Sequence, residues 1–455
     1  MLTILRNVRH CWQDVRQIGF LALPLIMSQL AQVALTTVDI IMLGMLSSVE
    51  IAAGGLALAV FNLFRAFFAG LVMGTGNLVA EADGRQDHAL ISQFAGAGLV
   101  LATLGALVSA IVLSVAEKPL IWLGQDPAIA YKAGRFLCVL APAMFPCLWF
   151  QALRQFTIGL RQPGPLLWIT VGCTALNGVL DYLLMFGRWG FPKLGLIGIA
   201  WATASVYLLS FLLFLGIVVR HKTLARHLSL AIWRTEPWVL VRTGRMGLMV
   251  AATFGSETAF FAVITMVIGS MGAQSLAAQV IANQFVYIVF MISSGISQAV
   301  SICISQVFAQ GQLGHVRRLA YTGLGLGLAV MSVVAIPYLA LPGALVRPFL
   351  GGSGQLDATV ASLAAKLLTI AAFMQFFDCG QNIGVGVLRG IGEVDRSFSM
   401  TLIGYWLLGL PAVYCLGSLM ALGIYGVWLG LSIGLGSTAF LLWRTFEQRL
   451  ANPVH

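Results

Sequence analysis

Apolar residues fall in long unbroken runs along almost the whole chain. Twelve runs, at about 18–43, 51–80, 90–115, 128–153, 165–187, 195–219, 246–270, 277–305, 319–341, 360–387, 399–418 and 423–443, contain few charged positions. Each has roughly the 20 residues that an α-helix needs to cross about 30 Å of hydrocarbon. The spacers between them are too short for a soluble catalytic domain. The pattern predicts an all-α integral membrane protein with twelve transmembrane helices.

Composition agrees. The 455 residues are 59% hydrophobic and 9% charged, whereas soluble domains carry about a quarter charged residues. A net charge of +10 would suit nucleic acid in a soluble protein. In a polytopic one it reflects Lys and Arg kept on the cytoplasmic side, so no nucleic-acid partner is expected. Arg6, Arg9, Arg16, Arg85, Arg154, Arg161, Arg220, Lys222, Arg226, Arg234, Arg242, Arg245, Arg317, Arg318, Arg389, Arg396, Arg444 and Arg449 fall on the N-terminal side of the runs. Lys118, Lys132, Arg135, Arg188, Lys193, Arg347 and Lys366 fall on the other. With an even number of spans, both termini are expected in the cytoplasm, and no cleaved signal peptide is expected. Six of the seven cysteines lie within the runs and Cys11 precedes them, an arrangement suited neither to a disulfide framework nor to a zinc site. The histidines His10, His88, His221, His227, His315 and His455 lie outside the runs, so an embedded enzyme lacks converging catalytic groups.

The chain repeats itself. Leu43-Gly44-Met45 through Ile51-Ala52-Ala53 reads against Ile268-Gly269-Ser270 through Leu276-Ala277-Ala278, an offset of 225. Leu160-Arg161-Gln162-Pro163-Gly164 reads against Leu388-Arg389-Gly390-Ile391-Gly392, and Leu194-Gly195 against Leu422-Gly423, both at 228. Six helices per repeat bring the second unit into the membrane in the same orientation as the first. The expected organisation is an N-lobe over 1–219, a cytoplasmic connector over 220–245 and a C-lobe over 246–455. These form two parallel six-helix lobes with a central cleft, suited to alternating access.

Acids stand out against this background. Asp39, Asp181, Glu257 and Asp378 all lie within apolar runs, where an ionised side chain is costly and usually faces an ion or substrate path. Counting about 1.5 Å per residue from the outer helix ends, Asp39, Asp181, Thr203 and Asn177 fall within the outer half of the first lobe. Asn177 and Asp181, at i and i+4, share a helix face. Two carboxylates, an amide and a hydroxyl make a hard-oxygen set for Na⁺ or for a shared proton; a polar knot fastening the first, fifth and sixth helices is the alternative. At the offset of 228 the second lobe has Tyr405 and Gly409 in place of Asn177 and Asp181. Glu257 and Asp378 fall about 20 Å deep, as an ion or substrate site or as a buried structural pair.

Arg65 reaches the same depth within the second run. With Gln32, the repeat counterpart of Glu257, it is a candidate cleft gate or counter-ion. An arginine snorkelling to an interface is the plainer reading. Pro24 interrupts the first run as a candidate hinge, or as a static kink.

Val38-Asp39-Ile40-Ile41-Met42-Leu43-Gly44, Leu176-Asn177 with Asp181, Gly255-Ser256-Glu257 and the two Leu-Arg-x-x-Gly blocks resemble the multidrug and toxic compound extrusion (MATE) transporters, NorM-like branch, over nearly the full chain. The resemblance implies a cation-coupled antiporter of the bacterial inner membrane, driven by H⁺ or Na⁺ and exporting amphipathic organic cations. It implies no enzymatic activity, no resident cofactor and a monomer in the bilayer. Asp39, Asn177, Asp181 and Thr203 match the family's first-lobe cation site, and Glu257 and Asp378 its second-lobe acids. The chain departs from the pattern at Met374, where some relatives carry an aromatic hydroxyl, and at Arg65. A lipid-linked precursor or polysaccharide flippase of the same superfamily is the alternative, favoured by Arg65.

Overall fold

The computed structural model describes residues 2–164, 166–227, 235–349 and 355–452. Among these residues twelve helices are long and apolar enough to cross a membrane: α1 (Leu2–Leu43), α2 (Ser48–Gly84), α3 (His88–Ser114), α4 (Pro127–Gly159), α5 (Leu166–Phe186), α6 (Leu196–Arg220), α7 (Pro237–Ser270), α8 (Ala273–Ala309), α9 (Leu313–Ala340), α10 (Gln355–Gly390), α11 (Val394–Leu419) and α12 (Gly423–Ala451). Among the described residues there is no strand. The protein is an all-α, multi-pass membrane protein.

Local chemistry sets the helix starts. Ser47, ahead of α2, donates its amide and its hydroxyl to the Glu50 carboxylate at 3.3 and 3.0 Å, the amide bond being the glutamate half of a capping box. Asp87 accepts from Leu90 N at 3.0 Å ahead of α3. Asp126 accepts from Ala128 N at 2.8 Å ahead of α4, with Pro127 in the first turn, where its missing N–H costs nothing. Each such cap contributes about 1 kcal/mol. Two helices are irregular. α4 passes through a 3₁₀ turn at Ala141–Ala143 around Pro142, and α11 is wound as π-helix over Ile403–Gly409 and Cys415–Leu419. Pro411, between the two wide segments, cannot donate back to the preceding turn.

Several helices outrun their apolar stretches and take in residues that lie outside the runs, Arg154 and Arg389 among them. These two lie in the closing turns of α4 and α10 at 4% and 3% exposure, where Arg154 Nη1 donates to Gln151 Oε1 at 3.2 Å and Arg389 Nε to Ser301 Oγ at 3.2 Å. His88, Arg317 and Arg318 lie within helices for the same reason, and His315 stands in the first turn of α9. Residues 237–245, expected in the connector, form the start of α7, and a short helix, Lys222–His227, follows α6.

Two compact units make up the chain. One comprises Met27–Ala251, the other Met1–Ile26 together with Ala252–His455. The boundaries therefore cut through α1 and α7 and not through the connector. They stand at the offset of 225 that relates the repeats. Each unit is closed by a half-helix that belongs, by sequence, to the other repeat.

Glycines allow that closure. In the Met27–Ala251 unit a β-carbon at Gly247 would stand 1.7 Å from the Leu71 carbonyl oxygen, and one at Gly70 would stand 3.0 Å from Ala251 Cα. The backbones of α2 and α7 touch there, as small residues permit between membrane helices.

Candidate ion sites in each unit

Helix α1 lies along α5 in the Met27–Ala251 unit, joined rung by rung. Ser28 Oγ and Thr170 Oγ1 are 3.4 Å apart, and Thr174 Oγ1 donates to the Ala31 carbonyl at 3.2 Å. A β-carbon on Gly178 would meet Val38 Cγ1 at 3.2 Å. The next rung is Asp39 against Asp181. On α5 the sequence prepares this face: Ile169, Cys173, Asn177 and Asp181 recur every fourth residue and are all buried. Helix α6 closes the third side. Gly198 lets it approach so far that a β-carbon there would be 2.8 Å from the Leu184 carbonyl carbon, which brings Thr203 against Asn177.

The result is a buried polar cluster. Asp39 and Thr203 are each 2% exposed, and Asn177 and Asp181 are fully buried. Asp181, Thr203 and Asn177 are the immediate polar neighbours of Asp39. Asn177 Nδ2 points at Thr203 Oγ1, 3.5 Å away, which leaves its oxygen free to accept. Asp39 Oδ1, Asn177 Oδ1 and both carboxylate oxygens of Asp181 are buried without a hydrogen-bond donor. Buried acceptors are normally satisfied, and like carboxyl groups held together need a positive charge between them, whether a proton or a metal ion. The structure thus brings together all four residues of the sequence-predicted first site.

The second site assembles inside the other unit. Glu257 on α7 and Asp378 on α10 are 6% and 5% exposed and lie within each other's field. Tyr405 on α11 donates its hydroxyl to Glu257 Oε1 at 3.2 Å, and its ring stacks on Phe260 at 4.9 Å with planes 5° apart. Beside it, Trp406 Nε1 donates to Ser256 Oγ at 3.0 Å. Asn382 bonds Asp378 and also donates Nδ2 to Ser293 Oγ at 3.2 Å. Sequence reasoning missed Tyr405 and Asn382. The signal for Tyr405 was present, since it is the repeat counterpart of Asn177; the exchange replaces one polar group with another that serves a different acid.

Arg65 and Glu257 fall in different units. Within its own, Arg65 is half-buried, donates Nε to Asn62 Oδ1 at 3.0 Å, and lies close enough to Cys147 and Tyr207 for its charge to act on both. Tyr207, one turn beyond Thr203 on α6, packs against Phe61 with ring centroids 6.1 Å apart. Gln32 is half-buried on α1, where its carbonyl accepts from Thr36 Oγ1 at 3.3 Å. Pro24 stands inside α1, and the helix runs through it unbroken.

Twelve spanning helices, two matching units and buried acids in each define a membrane transporter. The MatE family model matches residues 24–183 and again 250–415, one match per repeat, and the chain belongs to that family. It is 34% identical over 94% of its length to 92% of a probable multidrug resistance protein NorM from Rhizobium meliloti (strain 1021). It is 32% identical over 96% of its length to 94% of a multidrug resistance protein NorM from Burkholderia vietnamiensis. Among solved structures, the outward-facing conformation of a multidrug resistance MATE family transporter of the MOP superfamily aligns over 96% of each chain with a TM-score of 0.87 at 18% identity. The eukaryotic MATE transporter AtDTX14 aligns over 97% of this chain and 98% of that one with a TM-score of 0.79 at 20% identity. At such identities the structures speak for the fold alone. The protein is a transporter and not an enzyme.

Proposed function

We propose that this protein is a multidrug efflux antiporter that exports amphipathic organic cations in exchange for an inward flow of H⁺ or Na⁺. Its place is a bacterial inner membrane, with both termini in the cytoplasm, working as a monomer. The observation that carries this reading is the cluster of Asp39, Asn177, Asp181 and Thr203, with four acceptor oxygens buried and lacking donors. Oxygen ligands of this kind suit a hard monovalent cation, and a proton shared between Asp39 and Asp181 answers the same need. The multidrug names of the NorM relatives support the cargo class.

Coupling follows from differential affinity. An ion bound more tightly in one state of the cycle than in the other shifts the equilibrium by that difference and no more. Glu257 and Asp378 supply a second negative centre for ion or cationic cargo. A lipid-linked precursor flippase would need cations to meet phosphates, and Arg65 alone among four intramembrane acids is poor support for that.

The test is a reconstituted-vesicle assay of ethidium efflux with pH and Na⁺ gradients imposed separately. Efflux driven by either gradient supports the antiporter; transport of a lipid-linked phosphate with no ethidium efflux overturns it.

A further inference from the structure

Asp14 is an acid that the sites above do not use. It lies on α1 at 3% exposure, in the unit built from Met1–Ile26 and Ala252–His455. Both of its carboxylate oxygens are engaged by α9: Arg318 Nε meets Oδ2 at 2.5 Å and His315 Nε2 meets Oδ1 at 3.2 Å. His315 and Arg318, three positions apart, share one face of α9, and His315 Nδ1 is 3.4 Å from Gln312 Oε1. The carboxylate also sits at the N-terminal turns of α9, where unpaired amides favour negative charge. A surface pair needs none of this. Asp14 is the buried member of this cluster, and removing Arg318 would leave its charge without that cation.

The position of this clamp on the chain gives it meaning. Asp14 and Asp39 stand on the same helix, but α1 passes from one compact unit to the other between Ile26 and Met27. Its N-terminal part is therefore fastened to α9, while its C-terminal part carries an acid of the candidate ion site. The other crossing helix, α7, has its own fastening: Arg242 Nη2 meets the two carboxylate oxygens of Glu81 at 2.9 and 2.8 Å, and its guanidinium lies over Phe94.

We infer that Asp14, gripped by Arg318 and His315, is a positioning residue for transport: it anchors one end of α1 so that occupancy at Asp39 is converted into a change of state. An unanchored α1 would absorb the change by shifting its free end, and ion binding would uncouple from cargo movement. The inference rests on the reading of Asp39 as an ion-site residue.

The experiment uses the full chain in vesicles, with ethidium as probe and an imposed pH or Na⁺ gradient. Asp14→Asn and Arg318→Gln are each expected to lower the maximal ethidium efflux rate by about tenfold, with half-saturation held within about twofold. Deuterium uptake over residues 12–26 should respond to Asp39→Asn in the native background and not in the Asp14→Asn background, because coupling between two positions disappears when the link is cut. Arg318 has a side chain 40% exposed, so Arg318→Gln decides the matter if Asp14→Asn does not fold. Native efflux in both anchor variants, beside loss in Asp39→Asn, overturns the anchor alone. Equal changes in rate and half-saturation also overturn it, as the mark of general damage. Native efflux in Asp39→Asn overturns the ion-site reading and the coupling with it.

Discussion

Gly295 on α8 meets Ile26 on α1 so closely that a β-carbon on the glycine would stand 2.6 Å from Ile26 Cγ1 and 3.0 Å from its amide nitrogen. At the repeat offset of 225 its counterpart is Gly70 against Ala251, where the same atom would stand 3.0 Å from Ala251 Cα. Each crossing helix thus leaves its unit past a glycine. Gly295→Ala should destabilise the protein by about 1–3 kcal/mol through overpacking. Ile26→Ala in the same chain should recover part of the loss, so thermal unfolding of the two single variants and the double should be non-additive. Additive shifts would place the strain elsewhere.

Asp39→Asn should abolish gradient-driven ethidium efflux in a protein that still folds, because it removes a charge and adds almost no volume. Asp181→Asn and Asn177→Ala should each slow efflux by about tenfold or more, the scale of a lost bond to a charged group. Ethidium binding at equilibrium should weaken less. Parallel loss of binding and efflux would mark the cluster as a structural fastener of α1, α5 and α6.

Tyr405→Phe keeps the stacking on Phe260 and removes only the hydroxyl that Glu257 accepts. A loss of about 1–2 kcal/mol in thermal unfolding is expected for a buried bond to an acid. Restoring that loss with Glu257→Gln in the same chain would fit a pair acting together; a silent Tyr405→Phe would remove the tyrosine from the second site.

His227, on the short helix after α6, stacks on His88 with ring centroids 4.8 Å apart. Burial, then the charges of His88 and Arg226, against an opposing pull from Asp83, hold its imidazole below the ordinary 6.5. A base held below its free value binds fewer protons when docked. Docking is therefore favoured above that value and weakens as pH falls through it. Deuterium uptake over residues 222–227, divided by the intrinsic exchange rate at each pH, should rise between about pH 7.5 and pH 5.5, and His227→Gln should remove most of that dependence. A pH-independent native profile would refute it.

The helices were readable because a bilayer demands long apolar runs, and nothing else in the chain mimics them. Their ends were less readable. Arg154 and Arg389 lie just beyond the apolar runs, yet both are buried, Arg389 against Ser301 of another helix, a tertiary matter that hydropathy does not register. The first site was legible because Asn177 and Asp181 announce a shared face through spacing alone. The repeat offset marked Tyr405 as the counterpart of Asn177, but its role was not legible, since that depends on Glu257 on another helix. Nor does a hydropathy pattern carry any mark of which unit the ends of α1 and α7 join; that is settled by close approach at Gly70, Gly247 and Gly295.

The exchanged half-helices bear on how the chain is made. Residues 1–26 emerge from the ribosome well before residues 252–455, which make up the rest of the unit that they complete, so they must wait for that later synthesis before they can bed down. Contacts so distant in sequence slow assembly and leave early segments exposed meanwhile. A gene split at the connector would yield two fragments, each missing the wall that the other holds, and only their co-expression should restore a folded transporter.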